Sequence, residues 1–250
     1  MKLTIIIPTH DRVDLLRQAL ASVLRQQTGL TLDILVVDDG SQDGTAAYLE
    51  EMGAQVPGLR CIRQDNAGVT AARNTGLRNL APDTDLVTFL DSDDTFAPGY
   101  LASLEPHFAP GQDCDLTYGR LLMVEAIDPE TLATAPGARS VELIGIQLSS
   151  AVLRRALVDR IGLFDESMAF SEDVDYLLRI FETGPRIAQT DTICIHYRRH
   201  PGNMTKQLDE ARRFFAIALL KSVQRRRRTP GIRMVKPDFN CENLATAEFY

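Results

Sequence analysis

The chain lacks a membrane-spanning run: its longest apolar stretches fall well short of the roughly 20 residues a bilayer crossing needs. Met1-Lys2 leads straight into a strand-like run ending at Pro8, with no apolar stretch and small-residue cleavage site, so no signal peptide is read. Cysteine is scarce. Cys61, Cys114, Cys194 and Cys241 are scattered without metal-ligand spacing, and reduced thiols in a cytoplasmic protein are expected. The Gly-x-Gly-x-x-Gly of dinucleotide binders and the Gly-Lys-Ser/Thr of P-loop proteins are both missing. There is no internal repeat, and no low-complexity segment beyond one arginine run. No aromatics interleave with Arg225–Arg228, which argues against RNA or DNA as a partner.

What is present fits one α/β domain, or one domain with an appendage. At 250 residues, 44% hydrophobic and 24% charged, the chain can bury a sizeable core. Its net charge of −7 is uneven. From Lys206 to Lys236 ten Lys/Arg face two Asp/Glu, a local +8 on an acidic body. Such a segment suits a local anionic partner.

Strand-like runs alternate with helical spacing through the first half. Leu3–Ile7 is a β-branched run cut by Pro8, and Asp11 is placed to cap the helix that follows. Leu15, Leu16, Ala19, Leu20, Val23 and Leu24 recur at helical spacing. Strands are expected at 33–37, 59–63 and 85–90, with helices at 44–52 and 68–80. This alternation predicts βαβ units and a mostly parallel sheet. The second half is less regular. A strand is expected at 115–124, a mobile loop at 126–140, helices at 149–159, 172–183 and 208–223, and a strand at 186–196.

The most informative stretch is Leu-Val-Thr-Phe-Leu-Asp-Ser-Asp-Asp at 86–94. A buried strand ends there in Asp91, Asp93 and Asp94. Carboxylates so crowded repel one another, and a divalent cation offsets that cost. Hard oxygen ligands in Asp-x-Asp spacing suit Mg²⁺ or Mn²⁺; an acidic turn capping the next segment is the alternative. Ligands of open parallel sheets bind outside the carboxyl ends of the strands. Three polar clusters fall at such ends: Pro8-Thr9-His10-Asp11, Asp38-Asp39-Gly40-Ser41 and Asp91-Ser92-Asp93-Asp94.

Five ordered blocks carry a resemblance: Ile-Ile-Ile-Pro-Thr-His-Asp-Arg (5–12), Val-Val-Asp-Asp-Gly-Ser-Gln-Asp-Gly-Thr (36–45), Asn-Ala-Gly-Val-Thr-Ala-Ala-Arg-Asn-Thr-Gly (66–76), Phe-Leu-Asp-Ser-Asp-Asp (89–94) and Ser-Glu-Asp-Val-Asp-Tyr-Leu-Leu-Arg (171–179). Tyr-Arg-Arg-His-Pro-Gly-Asn-Met-Thr (197–205) adds to them. Together they resemble a family 2 glycosyltransferase with a GT-A fold, over roughly residues 3–205. The resemblance implies a Rossmann-like, mostly parallel sheet flanked by helices, an irregular acceptor-side half and a C-terminal helix. Its implied domains are 1–205, split into a nucleotide-binding half (1–95) and an acceptor-binding half (96–205), then a basic helix and tail at 206–250.

The resemblance also implies roles. Pro8, Thr9, Asp11, Arg73, Asp91 and Ser92 would line the nucleotide site, and Asp39 would accept a ring N–H of the base, most simply uracil. Asp93 would be the principal ligand of Mn²⁺ or Mg²⁺. Asp91 would contact ribose, or the metal through water. His200 or His196 would be a third metal ligand. Asp173 would be the general base of an inverting displacement, with Glu172 orienting the acceptor; for this acidic pair at a helix start the bland reading is capping.

The implied enzyme is a metal-dependent inverting glycosyltransferase of hexosyl type. It moves a sugar from a nucleotide donor, a UDP-sugar in the first instance, to a saccharide or lipid-linked hydroxyl. A sugar nucleotidyltransferase is one rival, although Pro-Thr-His-Asp-Arg lacks the glycines of a triphosphate loop. A non-catalytic saccharide or nucleotide-binding module is the other. The C-terminal helix has two readings: a solvated arginine face, or peripheral docking on anionic headgroups at the inner face of the membrane. Its stripe of Leu208, Ala211, Phe214, Phe215, Ala218 and Leu219 would pack on the domain or meet lipid.

Overall fold

A computed structural model describes residues 1–145, 147–200, 208–229 and 231–236. Cys241, the tail from 237, and Pro201–Thr205 of the late motif lie outside them. In chain order the elements are β1 (Lys2–Thr9), α1 (Val13–Leu24), β2 (Thr31–Asp38), α2 (Thr45–Gln55), β3 (Leu59–Arg63), α3 (Val69–Arg78), β4 (Leu86–Phe89) and β5 (Thr95–Phe96). They continue as α4 (Tyr100–Phe108), β6 (Leu116–Val124), β7 (Ser140–Ile144), β8 (Ala151–Arg154), α5 (Arg155–Ile161), α6 (Glu172–Glu182), β9 (Ile187–Arg198) and α7 (Leu208–Arg228).

The strands form one sheet in the order β3-β2-β1-β4-β8-β6-β9-β5, with β7 beside β6. β1 to β4 are mutually parallel, as are β6 and β9. β8 runs antiparallel to both β4 and β6 and joins the two groups. Both faces are covered, as parallel strands require. Leu3, Ile5 and Ile7 share one core with Leu16 and Leu20 of α1, Leu49 of α2 and Leu104 of α4. Ile6 points the other way, into a core with Leu77 of α3, Leu157 of α5 and Tyr176 of α6. The period-two alternation of β1 thus builds three layers. At Gly76 helix α3 packs tightly on β1. A Cβ there would stand 2.5 Å from Ile6 Cγ2.

Several sequence expectations change. β1 runs through Pro8 to Thr9. Leu90 N donates to the Ile6 carbonyl, whereas Asp39 N donates to that of Thr9. Pro8 therefore faces the β4 side, where pairing stops at Ile6, and its missing N–H breaks no ladder bond. Asp11 does not cap α1; Asp43 does, accepting from Val13 N at 3.0 Å. Residues 149–159 are not one helix. Ala151–Arg154 is the joining strand β8, and the helix begins at Arg155. The short strands β5 and β7 and helix α4 were not expected.

Candidate active site

The carboxyl ends of β1, β2 and β4 open into a cavity of about 320 Å³. Pro8, Thr9, Asp39, Arg73, Asp91, Ser92, Asp93, Glu172 and Asp173 all line it. Asp11, His196 and His200 do not.

Asp38 and Asp39 divide their labour. Asp38 Oδ1 accepts from Ser41 N at 2.9 Å and closes the turn. Asp39 holds the entry to α3: Oδ1 accepts from Gln64 Nε2 (2.8 Å) and Ala67 N (2.9 Å), and Oδ2 from Gly68 N (2.8 Å). Three of the roughly four acceptor positions of a carboxylate are thereby used. Asp11 sits at a left-handed φ of 46°, unusual outside glycine. Its Oδ1 accepts from Gln42 N at 2.5 Å, so it braces the β2–α2 loop.

The next residue, Arg12, received no role from sequence, yet it lines the cavity. Arg12 Nη1 and His200 Nε2 each stand 3.0 Å from Asp93 Oδ2. Burial would raise the Asp93 carboxyl, but the His200 hydrogen bond and the Arg12 charge outweigh it and hold it below the usual range. Asp94 is different. Burial first, then the charges of Asp93 and Asp91, push it well up, and its Oδ1 accepts from Arg198 N at 2.9 Å.

Arg73 is buried and bridges two distant segments. Nη1 reaches Glu172 Oε1 at 2.6 Å, and Nη2 reaches Asp91 Oδ1 at 2.7 Å. Burial opposes its charge, but Asp91, Glu172 and Asp173 together hold the guanidinium more firmly protonated. Asp173 is half-buried at the start of α6. Burial, then Glu172, raise its carboxyl to about 6 against the pull of Arg73. Ser171, just before this acidic pair, takes a left-handed φ of 56° and makes no side-chain cap. A strained non-glycine residue thus sets where α6 begins.

His196 lies in β9, buried, with Nδ1 3.4 Å from Thr95 Oγ1, and burial lowers its pKa. Among the described residues no three His, Cys, Asp or Glu side chains gather into a cation cage. Asp91 and Asp93 in one cavity, with an imidazole on Asp93, do fit Mn²⁺ or Mg²⁺ shared with a substrate phosphate, since such ions need only one or two protein carboxylates. His196 does not fit that set.

Sequence reasoning also missed His10, Gln147, Phe170, Tyr197 and Ala211 on the cavity wall. Arg12 and His10 sat inside a quoted motif. Tyr197 opened the late motif and Ala211 lay in the apolar stripe of α7, whereas Gln147 and Phe170 had no local signal. Helix α7 proves amphipathic twice over. Ala218 and Ser222 are buried, while Phe215, Leu219 and Leu220 are exposed. Phe215 and Leu219 thus leave the packing stripe expected from sequence. Lys221 bonds Asp165 (2.5 Å), and Arg225 bonds Asp175 (2.8 Å) and Glu182 (2.7 Å), so these cations tie α7 to the body.

Residues 4–120 match the family described as glycosyl transferase family 2. That segment belongs to glycosyl transferase family 2. Glycosyltransferase GlyA of Streptococcus pneumoniae is 39% identical over 103 residues, covering 41% of this chain and 14% of GlyA. The minor teichoic acid biosynthesis protein GgaA of Bacillus subtilis is 28% identical over 182 residues, covering 68% of this chain and 41% of GgaA. The chain therefore spans less than half the length of both. Among solved structures, S. aureus TarS 1–349 in complex with UDP-GlcNAc superposes with a TM-score of 0.64 at 19% identity, covering 88% of this chain and 67% of TarS 1–349. Mannosyltransferase PcManGT from Pyrobaculum calidifontis, in complex with GDP-Man and Mn²⁺, gives 0.63 at 18%, covering 92% and 65%. The fold is GT-A. No helix among the described residues is long and apolar enough to cross a membrane.

Proposed function

We propose that this chain is a family 2, metal-dependent inverting glycosyltransferase that moves a sugar from a UDP-sugar to a hydroxyl of a saccharide or lipid-linked acceptor. The observation that carries the reading is that Asp39, Asp93 and Asp173 surround one cavity sized for a small ligand. Thr9 Oγ1, buried on that wall without a hydrogen-bond partner, supports a polar ligand there. Asp39 keeps one acceptor position for a base N–H. Arg73 acts through Asp91 and Glu172, joining the donor loop to the base-bearing helix. It is less a nucleotide ligand than the family resemblance implies.

Asp173 takes the proton of the acceptor hydroxyl as that oxygen attacks the anomeric carbon. The nucleoside diphosphate leaves from the opposite face, so the configuration inverts. The cavity needs one base and no enzyme nucleophile for this, and Glu172 orients beside it. Asp93 and Asp91, with His200 against Asp93, would hold Mn²⁺ or Mg²⁺, which supplies Lewis-acid neutralisation of the leaving diphosphate. Arg12 adds the chain's own positive charge at the same carboxylate. TarS was captured with UDP-GlcNAc and PcManGT with GDP-Man; UDP is the choice here because one remaining acceptor on Asp39 suits the single imide N–H of uracil. Peripheral contact with anionic headgroups belongs to the same proposal, through exposed Phe215, Leu219 and Leu220 and the following Arg226–Arg228.

The test is thermal shift and calorimetry with UDP-GlcNAc, UDP-glucose, UDP-galactose and GDP-mannose, each with Mn²⁺, followed by slow release of the nucleoside diphosphate. Wild-type protein binds and hydrolyses a UDP-sugar, and Asp93→Ala loses the hydrolysis. Binding of nucleotide without turnover of any donor returns the protein to the non-catalytic module.

A further inference from the structure

The cavity is not closed by residues 4–120 alone. Phe170, Ser171, Asp173, Val174 and Ala211 belong to its wall and lie beyond that segment. Phe170 stands three residues before Asp173 and is half-buried. It borders the cavity and packs on Phe214 of α7, with ring centroids 5.8 Å apart and planes tilted by 36°. Ala211, three residues earlier on α7, borders the same cavity, and its carbonyl accepts from Ser171 Oγ at 3.4 Å. Lys221 and Arg225 pin the helix in place from further along. A benzyl ring on the wall of a cavity that Asp91, Asp93, Glu172 and Asp173 also line has no polar role. Leaving it against water in a charged cavity is unfavourable unless a ligand covers it.

A pyranose ring supplies such a cover. One of its faces presents polarised C–H bonds, and these are attracted to the negative face of an aromatic ring. Stacking fixes the plane of the sugar and hence the direction of its hydroxyls. The nucleotide and donor diphosphate belong with Asp39, Asp91 and Asp93, at the strand ends. Phe170 belongs to the same segment as the base, so the sugar it would hold is the one that gives up a proton. We propose that Phe170, backed by Phe214, is the platform on which the acceptor sugar ring stacks, which makes α7 a wall of the acceptor subsite. This rests on the transferase reading above.

Saturation-transfer NMR on the full chain with UDP and Mn²⁺ tests it. The probes are the methyl glycosides of glucose, galactose, mannose and N-acetylglucosamine, with UDP affinity followed separately by calorimetry. The wild type transfers saturation to ring protons of at least one glycoside. Phe170→Ala and Phe170→Leu reduce that transfer five-fold or more, Phe214→Ala reduces it at least two-fold, and Phe170→Tyr stays within two-fold of wild type. The leucine variant keeps apolar bulk, so it separates loss of the aromatic face from loss of folding. Undiminished transfer in Phe170→Leu overturns the proposal. So does a wild type that binds UDP but none of the four glycosides. A wild type that binds neither overturns the transferase reading as well.

Discussion

At Asp173 burial and the neighbouring Glu172 push the carboxyl up to about 6, well above the ordinary aspartate value of 3.8. The sign of the consequence follows from linkage. The unfolded chain ionises this group near pH 4, and the folded protein only near pH 6. Stability is therefore lost as pH rises through that window and stays lower above it. An asparagine carries no such penalty. Asp173→Asn should melt above wild type at pH 7.5, with the gap closing towards pH 4. Its transfer rate should fall by about 10²–10⁴-fold, the usual share of a general base. Wild-type kcat/KM should drop below about pH 6. Equal melting temperatures at both pH values, or a flat activity profile from pH 5 to 7, would count against Asp173 as the base. The residues that sequence marked best are those whose chemistry is fixed by position at a strand end: Asp39, Asp91 and Asp93. Arg12 and Asp11 are adjacent, and which of them meets the cavity depends on the left-handed φ at Asp11. No pattern of polarity encodes that turn. Sequence favoured His200 through the Tyr-Arg-Arg-His motif and kept His196 as the alternative; the pairing of β5 with β9 places His196 against Thr95.

Among the elements, α3 depends on a residue with no side chain. Gly76→Val would drive a β-branched group into Ile6, which is fully buried in β1 and has no room to retreat. The cost should be about 1–3 kcal/mol by urea unfolding, the range for overpacked cores. Helix α7 carries a second prediction. Vesicles of phosphatidylglycerol should co-sediment the protein at low salt, vesicles of phosphatidylcholine should not, and Phe215→Asp with Leu219→Asp should abolish the effect. Equal sedimentation with both lipids, or with neither, removes the membrane from the proposal. The regular elements were legible where periodicity was strong and local, as in β3 and α6. The segment 149–159 was misread because Ser149–Asp159 holds helical spacing, while the pairing of β8 with β4 and β6 is long-range. Tertiary pairing overrode local preference there. Strands as short as β5 carry too few residues to show any period.

On the scale of the whole molecule, the sheet order decides how the halves depend on each other. β8 comes from residues 151–154, yet it lies between β4 and β6. A fragment of residues 1–120 would leave the β4 edge unpaired and Phe89 without Phe164 and Tyr176, which contact it edge-on. Such a fragment should show no cooperative thermal transition by circular dichroism, whereas the full chain should give a single one. A cooperative melt of the fragment would mean that residues 1–120 are self-sufficient. The lacing of β8 also bears on how substrates are enclosed. The strands that lead to Asp39 and Asp91 and the strands of the second half belong to one continuous sheet. An enzyme built this way does not clap shut like a two-lobed clamp about a hinge. On the proposed reading, cover for the reacting bond would come from the residues just ahead of α6 and from α7, which border the same cavity.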